Sequence, residues 1–315
     1  MNTTTDISVI IPIYNEEHNI DELYKRLKAA LNEVTQQYEL IFVNDGSADH
    51  SLQKLITLTQ QDQRVFYINL SRNFGHQVAV SAGLDYCKSK TTVIIDADLQ
   101  DPPELIPKLY AEHSKGFDVV YAKRISRDGE TFMKKATSKL FYRILQKITS
   151  FDIPLDVGDF RLLDKKVVEA LREMPEQNKF LRGQIAWLGF KQTFVEFKRE
   201  PRKYGESGYS YGKMFSLAFD AVTGFSDKPL LLVSRLGFLI SLVSFFVILF
   251  AIFSHFVLKE TITGWTSLII SSMFIGGIQL LSIGVIGEYI SRISTNVKNR
   301  PLYVISDSNI EKENK

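Results

Sequence analysis

Thr91-Thr92-Val93-Ile94-Ile95-Asp96-Ala97-Asp98-Leu99-Gln100-Asp101-Pro102-Pro103 joins a β-branched apolar run to a cluster of carboxylates and a proline stop. Residues 91–97 read as a strand, because Thr, Val and Ile fit a pleated, buried surface and the run is too short for a helix. Carboxylates two apart on an extended segment face the same way, so Asp96 and Asp98 can share one cation. A hard divalent ion that takes oxygen ligands, keeps waters and bridges diphosphate oxygens suits that pair, and Gln100 can add a carbonyl. A solvated entry into a helix starting at Pro102 and Pro103 explains the same letters, so the stretch takes its meaning from its surroundings.

Outward from it, short β-rich runs at 7–13, 38–43, 65–70 and 118–121 alternate with amphipathic helical patterns. Such alternation predicts an α/β domain with a largely parallel, helix-covered sheet. Ligands of such sheets sit beyond the carboxyl ends of the strands, which directs attention to the residues that follow each run. The first run ends in Pro12-Ile13-Tyr14-Asn15-Glu16-Glu17 and the second in Asn44-Asp45-Gly46-Ser47-Ala48-Asp49. Tyr14 offers an apolar face to a base, Asp45 can accept a hydrogen bond from a pyrimidine imide or a purine amino group, and Gly46 permits the turn. Turn formation and helix capping by Ser47 or Asp49 account for the same residues without a ligand. There is no GxGxxG after a strand and no GxxxxGK[ST], which argues against a dinucleotide enzyme or a P-loop ATPase.

The 315 residues carry 38 Lys and Arg against 36 Asp and Glu, a formal charge of +2 that gives no support to bulk attraction for nucleic acid. The single cysteine, Cys87, reads as a buried thiol and cannot form an internal disulfide. The five histidines show no metal-ligand spacing and read as structural. A mean hydropathy of -0.04 conceals a strongly uneven distribution. Residues 236–258 and 261–287 contain no Asp, Glu, Lys or Arg, and the first of these alone would make about 34 Å of helix. The link between them is so short that it predicts an antiparallel transmembrane hairpin with both ends on one side. Arg235, Arg292, Lys298 and Arg300 flank the pair against one Lys in the turn, which places both termini in the cytoplasm. Small residues Gly276, Gly277, Gly284 and Gly287 would let helices approach closely, between chains or within the hairpin. The tail after Ser306 is polar and reads as mobile. Between Lys123 and Lys147 eight basic residues face two acidic ones, a local anion- or headgroup-binding surface or a solvated helix face.

Taken together, Pro12-x-Tyr14-Asn15-Glu16, Asn44-Asp45-Gly46-Ser47, Asp96-x-Asp98-x-Gln100, Gly158-Asp159-Phe160-Arg161 and the paired apolar segments resemble the family 2 glycosyltransferases of GT-A fold. The likeness is to their polyprenyl-phosphate branch, the dolichol-phosphate mannose synthases and GtrB-like bactoprenol glucosyltransferases, and it covers nearly the whole chain. Asn44 stands where that family often has Asp. The resemblance implies a catalytic domain over 1–210, a juxtamembrane amphipathic segment over 211–229, a hairpin over 230–290 with helices near 236–258 and 265–287, and a cytoplasmic tail over 291–315. It implies Mg²⁺ or Mn²⁺ on Asp96, Asp98 and Gln100, with donor binding by Pro12, Tyr14, Glu16, Asp45, Asp96, Arg202 and Ser207. The acceptor phosphate would lie on Arg124, Arg127, Lys134, Lys135 and Ser138, with Asp159, Asp98 and Arg161 at the reacting centre. The implied reaction is inverting transfer of one sugar, best matched by glucose from UDP-glucose, to undecaprenyl phosphate on the cytoplasmic face of a bacterial inner membrane, by a homotetramer. GDP-mannose or a UDP-aminosugar as donor, or a nucleotide-binding membrane scaffold without turnover, are the alternatives. A processive polysaccharide synthase fits less well, since Gln184-Ile185-Ala186-Trp187 is not its Gln-x-x-Arg-Trp motif.

Overall fold

A computed structural model of the chain describes residues 5–125, 157–198, 228–253 and 264–311. β1 (Ile7–Ile13), β2 (Tyr38–Asn44), β3 (Val65–Leu70) and β4 (Thr91–Ile94) pair in parallel in the order β4-β1-β2-β3. Every residue of β1 and β2 is buried, because helices cover both faces of the sheet. Alternate side chains go to opposite layers. Val9, Ile11, Leu40 and Phe42 pack against α1 (Ile20–Asn32), α2 (Ser51–Gln61) and α4 (Ile106–His113). Ile10, Ile41 and Val43 pack against α3 (His76–Tyr86), α5 (Lys165–Arg172) and α6 (Leu181–Leu188). α3 lies close on β1 because Gly83 has no side chain, and a Cβ there would stand 2.4 Å from Ile10 Cγ2.

The sheet has eight strands in the order β7-β5-β6-β4-β1-β2-β3-β8 and is mixed rather than wholly parallel. β6 (Val157–Asp164) runs antiparallel between β4 and β5 (Val119–Arg124), while β7 (Gln192–Phe197) pairs in parallel with β5. The strand expected over 91–97 keeps its ladder only to Ile94, although Ile95 N still donates to Ile10 O at 3.1 Å. Beyond it the chain turns, with Leu99 in the left-handed region at φ 58°. The expectation of a mobile tail after Ser306 is also corrected as far as Glu311, the last described residue. β8 (Ile305–Ser308) adds antiparallel to β3, where Tyr67 N donates to Asn309 Oδ1 at 2.7 Å and the Tyr67 hydroxyl to Asp307. The polarity of the tail reflects its place on a sheet edge, half in water.

α7 (Lys228–Phe253) and α8 (Trp265–Val297) pack on one another. Their apolar windows have mean hydropathies of 2.3 and 1.6, and no residue of either window is buried within the chain. Core helices of a soluble domain would be buried, so the two helices are long and apolar enough to cross a membrane and present those surfaces outward. α8 continues ten residues beyond the expected end of its apolar stretch at Gly287, carrying a Glu288–Arg292 pair at 3.1 Å. A Cβ on Gly276, Gly277, Gly284 or Gly287 would meet nothing within 4 Å, so these glycines do not make the contact between α7 and α8. The basic cluster beyond Ile125, the juxtamembrane segment and the hairpin turn lie outside the described residues.

Candidate active site

The carboxyl ends of β1, β2 and β4 open on one cleft of about 490 Å³. Pro12, Tyr14, Glu16, Asp45, Asp96 and Asp98 all line it, together with Asn73, Gly75 and His76. The loops after β1 and β2 are stitched together by their own polar residues. Asn15 N donates to Ser47 Oγ at 3.0 Å, Ala48 N to Asn15 Oδ1 at 2.8 Å, and Glu17 N to Asp49 Oδ2 at 3.1 Å. Ser47 and Asp49 thus serve the loops, and Asn15 adopts a left-handed φ of 56° to reach them. Tyr14 is left with half its surface exposed on the cleft wall, a flat apolar face suited to a nucleobase.

Asp45 is buried, and its two oxygens accept hydrogen bonds from Phe74 N at 2.7 Å and Gly75 N at 2.9 Å. Burial raises its carboxyl above the ordinary range despite these two donors. It therefore anchors the segment after β3 as well as lining the cleft. Gly46 sits at φ 65° directly under that segment, and a Cβ would stand 2.5 Å from Arg72 C and Asn73 N.

Asp96 and Asp98 do face one cleft, through a turn rather than along a strand. Asp98 Oδ1 accepts from Gln100 N at 3.1 Å, which closes that turn. Gln100 is not among the residues lining the cleft. Asp96 Oδ1 is buried without a hydrogen bond, 3.6 Å from His76 Nε2. Burial pushes the Asp96 carboxyl up, His76 opposes this, and the negative fields of Asp159, Asp101 and Asp98 add to the rise, to about 6. Such a carboxylate is stabilised by a cation beside it, and the observation fits the divalent ion expected there. Asp101, the third carboxylate of the motif, is fully buried and faces Arg124 Nη2 at 3.4 Å, so Arg124 is engaged inside the domain.

Asp159 on β6 meets the cleft through the lining residue His76. Its Oδ1 accepts from Arg161 Nη2 at 2.5 Å, and its Oδ2 lies 3.1 Å from His76 Nε2 and 3.3 Å from Gln77 Nε2. Burial works against its charge, but the His76 hydrogen bond and the charge of Arg161 prevail and hold its carboxyl well below the usual range. For His76 the same balance runs in reverse: burial lowers it, while the bond to Asp159 and the fields of Asp96 and Asp159 lift it to about 9. Arg161, two residues further along β6 than Asp159, is buried, with Nε on Asp159 O at 3.0 Å and Nη2 also on Gly158 O at 3.2 Å. It fixes Asp159 rather than reaching into the cleft.

His76, Asp96 and Asp159 could hold a metal ion, since their ligand atoms lie within 4.8 Å of one another. The chemistry of the set points elsewhere. His76 and Asp159 are engaged with one another through the Nε2–Oδ2 hydrogen bond, and Asp159 is already paired with Arg161. Asp96 and Asp98 are the pair whose oxygens a cation suits better. His76 was missed by sequence reasoning, which sought histidine spacing; its place just after β3 at the carboxyl edge of the sheet was the available signal. Arg127, Lys134, Lys135, Ser138, Arg202 and Ser207 lie outside the described residues.

A model of the family described as glycosyl transferase family 2 matches residues 8–172, more than half of the chain. The chain belongs to that family. This family 2 glycosyltransferase is 48% identical over 301 residues to an uncharacterized glycosyltransferase, YkcC, of Bacillus subtilis, covering 96% of this chain and 93% of that one. It is 38% identical to the SfII prophage-derived bactoprenol glucosyl transferase of Shigella flexneri, covering 96% of this chain and 98% of the relative. Among solved structures, the crystal structure of S. aureus TarS 1-349 in complex with UDP-GlcNAc matches with a TM-score of 0.48 at 17% identity, covering 69% of this chain and 65% of TarS. The glycosyltransferase is thus an enzyme of the transferase class, built on a mixed α/β sheet with two C-terminal apolar helices.

Proposed function

We propose that the protein transfers one sugar from a nucleoside diphosphate donor to the phosphate of a prenyl lipid at the membrane surface, with UDP-glucose and undecaprenyl phosphate as the working pair. The similarity to a bactoprenol glucosyl transferase carries this reading, because it extends over 96% of the chain and so takes in both the cleft and the apolar helices. The donor would lie with its base against Tyr14 and its diphosphate toward Asp96 and Asp98. Those two carboxylates would hold Mg²⁺ or Mn²⁺, which when bound supplies positive charge against the leaving diphosphate. Arg202, by the family resemblance, would add a guanidinium to the same leaving group.

An oxygen of the acceptor phosphate attacks the anomeric carbon as the bond from that carbon to the diphosphate oxygen breaks, and direct displacement inverts the centre. A phosphate monoester loses its second proton near pH 6, so its oxygen needs little help from a base at neutral pH. Asp159 is correspondingly placed in this reading as a fixed, ionised group that orients sugar or acceptor, held by Arg161, His76 and Gln77. The charge asymmetry around the apolar pair supports a cytoplasmic catalytic domain and termini. The test is a panel of nucleotide sugars offered to the full-length protein with undecaprenyl phosphate. The expected product is a chloroform-soluble, mild-acid-labile lipid bearing one sugar, formed fastest from UDP-glucose. GDP-mannose as best donor would revise the sugar alone, and growth beyond one sugar or failure to label lipid with any donor would overturn the reading.

A further inference from the structure

Asp159 stands between two groups of unlike charge. Toward the cleft is His76, which also lies 3.6 Å from Asp96; about its other oxygen are Arg161 and, on the first turn of α6, Arg182. Arg182 is 22% exposed, and its Nη2 lies 4.0 Å from Asp159 Oδ1, beyond hydrogen-bonding distance. Arg161 is spent on Asp159 and two backbone carbonyls, whereas the guanidinium fork of Arg182 is not spent in this way. The position of Arg182 is built rather than incidental. Gln77 on α3 gives Nε2 to Asp159 and takes Leu181 N on Oε1 at 3.1 Å, so one side chain ties the start of α6 to the carboxylate beside which Arg182 stands. Two further polar atoms in this quarter, Arg161 Nη1 and the Tyr121 hydroxyl, are buried without hydrogen-bond partners, and the charge of Arg182 acts on both residues.

We propose that Arg182 grips the phosphate monoester of the acceptor, bridging it to Asp159. A phosphate dianion brought beside an ionised carboxylate is repelled unless a cation lies between them, and a planar guanidinium can face both at once. The proposal rests on the reading that the acceptor is a lipid phosphate and names a group for it within the described residues.

The probe is geranyl phosphate, a short water-soluble prenyl phosphate, titrated against full-length protein in detergent, with inorganic phosphate and UDP titrated in parallel. Arg182→Gln is expected to weaken geranyl phosphate by about tenfold or more, the effect of losing one charge-assisted pair, while UDP binding changes less than about twofold. Arg182→Lys, which keeps the charge and loses the fork, should fall between, and in turnover the loss should appear in KM for the lipid and not in KM for the nucleotide sugar. Loss of inorganic phosphate binding in parallel with geranyl phosphate marks the site as one for the phosphate itself and supports the assignment. Unchanged geranyl phosphate affinity in a folded Arg182→Gln, or an equal loss of UDP, would overturn it. Arg182-dependent binding without any sugar transfer would leave this site standing and defeat the proposed reaction; transfer with an Arg182-independent acceptor KM would do the opposite.

Discussion

At the scale of single residues the site is governed by how charges are held. Asp159 is pinned ionised by the His76 hydrogen bond and by Arg161, so it has little appetite for a proton in the working range. Asp159→Asn is therefore expected to lower kcat by about 10²-fold or more without removing an ionisation from the pH–rate profile between pH 5 and 8. A wild-type limb in that window that vanishes in the variant would show Asp159 to be a working base. Arg161→Met should leave the carboxylate without its buried partner and cost about 3 kcal/mol of stability, read as a fall in thermal midpoint in detergent. Much of this was legible: Tyr14, Asp45, Asp96 and Asp98 follow strands, and strand ends are where ligands meet such sheets. His76 was not, because its role comes from Asp96 and Asp159, which lie 20 and 83 residues away in sequence and meet it only through the fold.

At the scale of elements, turns and edges decide what the strands present. Gly46 combines a left-handed φ of 65° with the backbone of Arg72 and Asn73 directly above it. Gly46→Ala is expected to destabilise by about 2 kcal/mol from the backbone term and contact together, and to weaken UDP binding because Asp45 and the Arg72–Gly75 loop must shift. Retained midpoint and affinity in that variant would deny the close approach. β7 and β8 are strands that sequence reading did not find; in β8, Ile305 followed by three polar residues carries no strand signal of its own, and pairing with the edge of β3 makes the segment a strand. The Tyr67 phenol, hydrogen-bonded to Asp307 and partly desolvated, is lifted to about 12. A raised phenol contributes stability that is complete below its unfolded value near 10 and is lost as pH climbs through the folded value. Proteolysis within the tail should accordingly accelerate between about pH 10 and 12, and Tyr67→Phe, at a cost of about 1 kcal/mol, should abolish that step.

At the scale of the whole molecule, two physical environments are joined in one chain. The α/β layers bury their apolar residues internally, whereas α7 and α8 turn theirs outward, and that contrast was plain in the hydropathy of the sequence. Less plain was the way the ends are fastened. Tyr303 donates to Asp85 at 2.7 Å and Gln177 N to Asn296 Oδ1 at 3.1 Å, so the chain leaving α8 is secured to α3 and to the segment before α6. These contacts pair residues 119 or more positions apart, which no local pattern reveals. They hold the cleft at a set relation to the end of α8, as the proposed transfer to a lipid headgroup would require. The most direct measurement of the account uses full-length protein in lipid vesicles with undecaprenyl phosphate and radiolabelled UDP-glucose. Label should enter the chloroform phase as a one-sugar lipid, stop when divalent ions are chelated, resume when they are restored, and fall by about 10²-fold or more in Asp96→Asn. Undiminished lipid labelling in the chelated protein, or in Asp96→Asn, would contradict it.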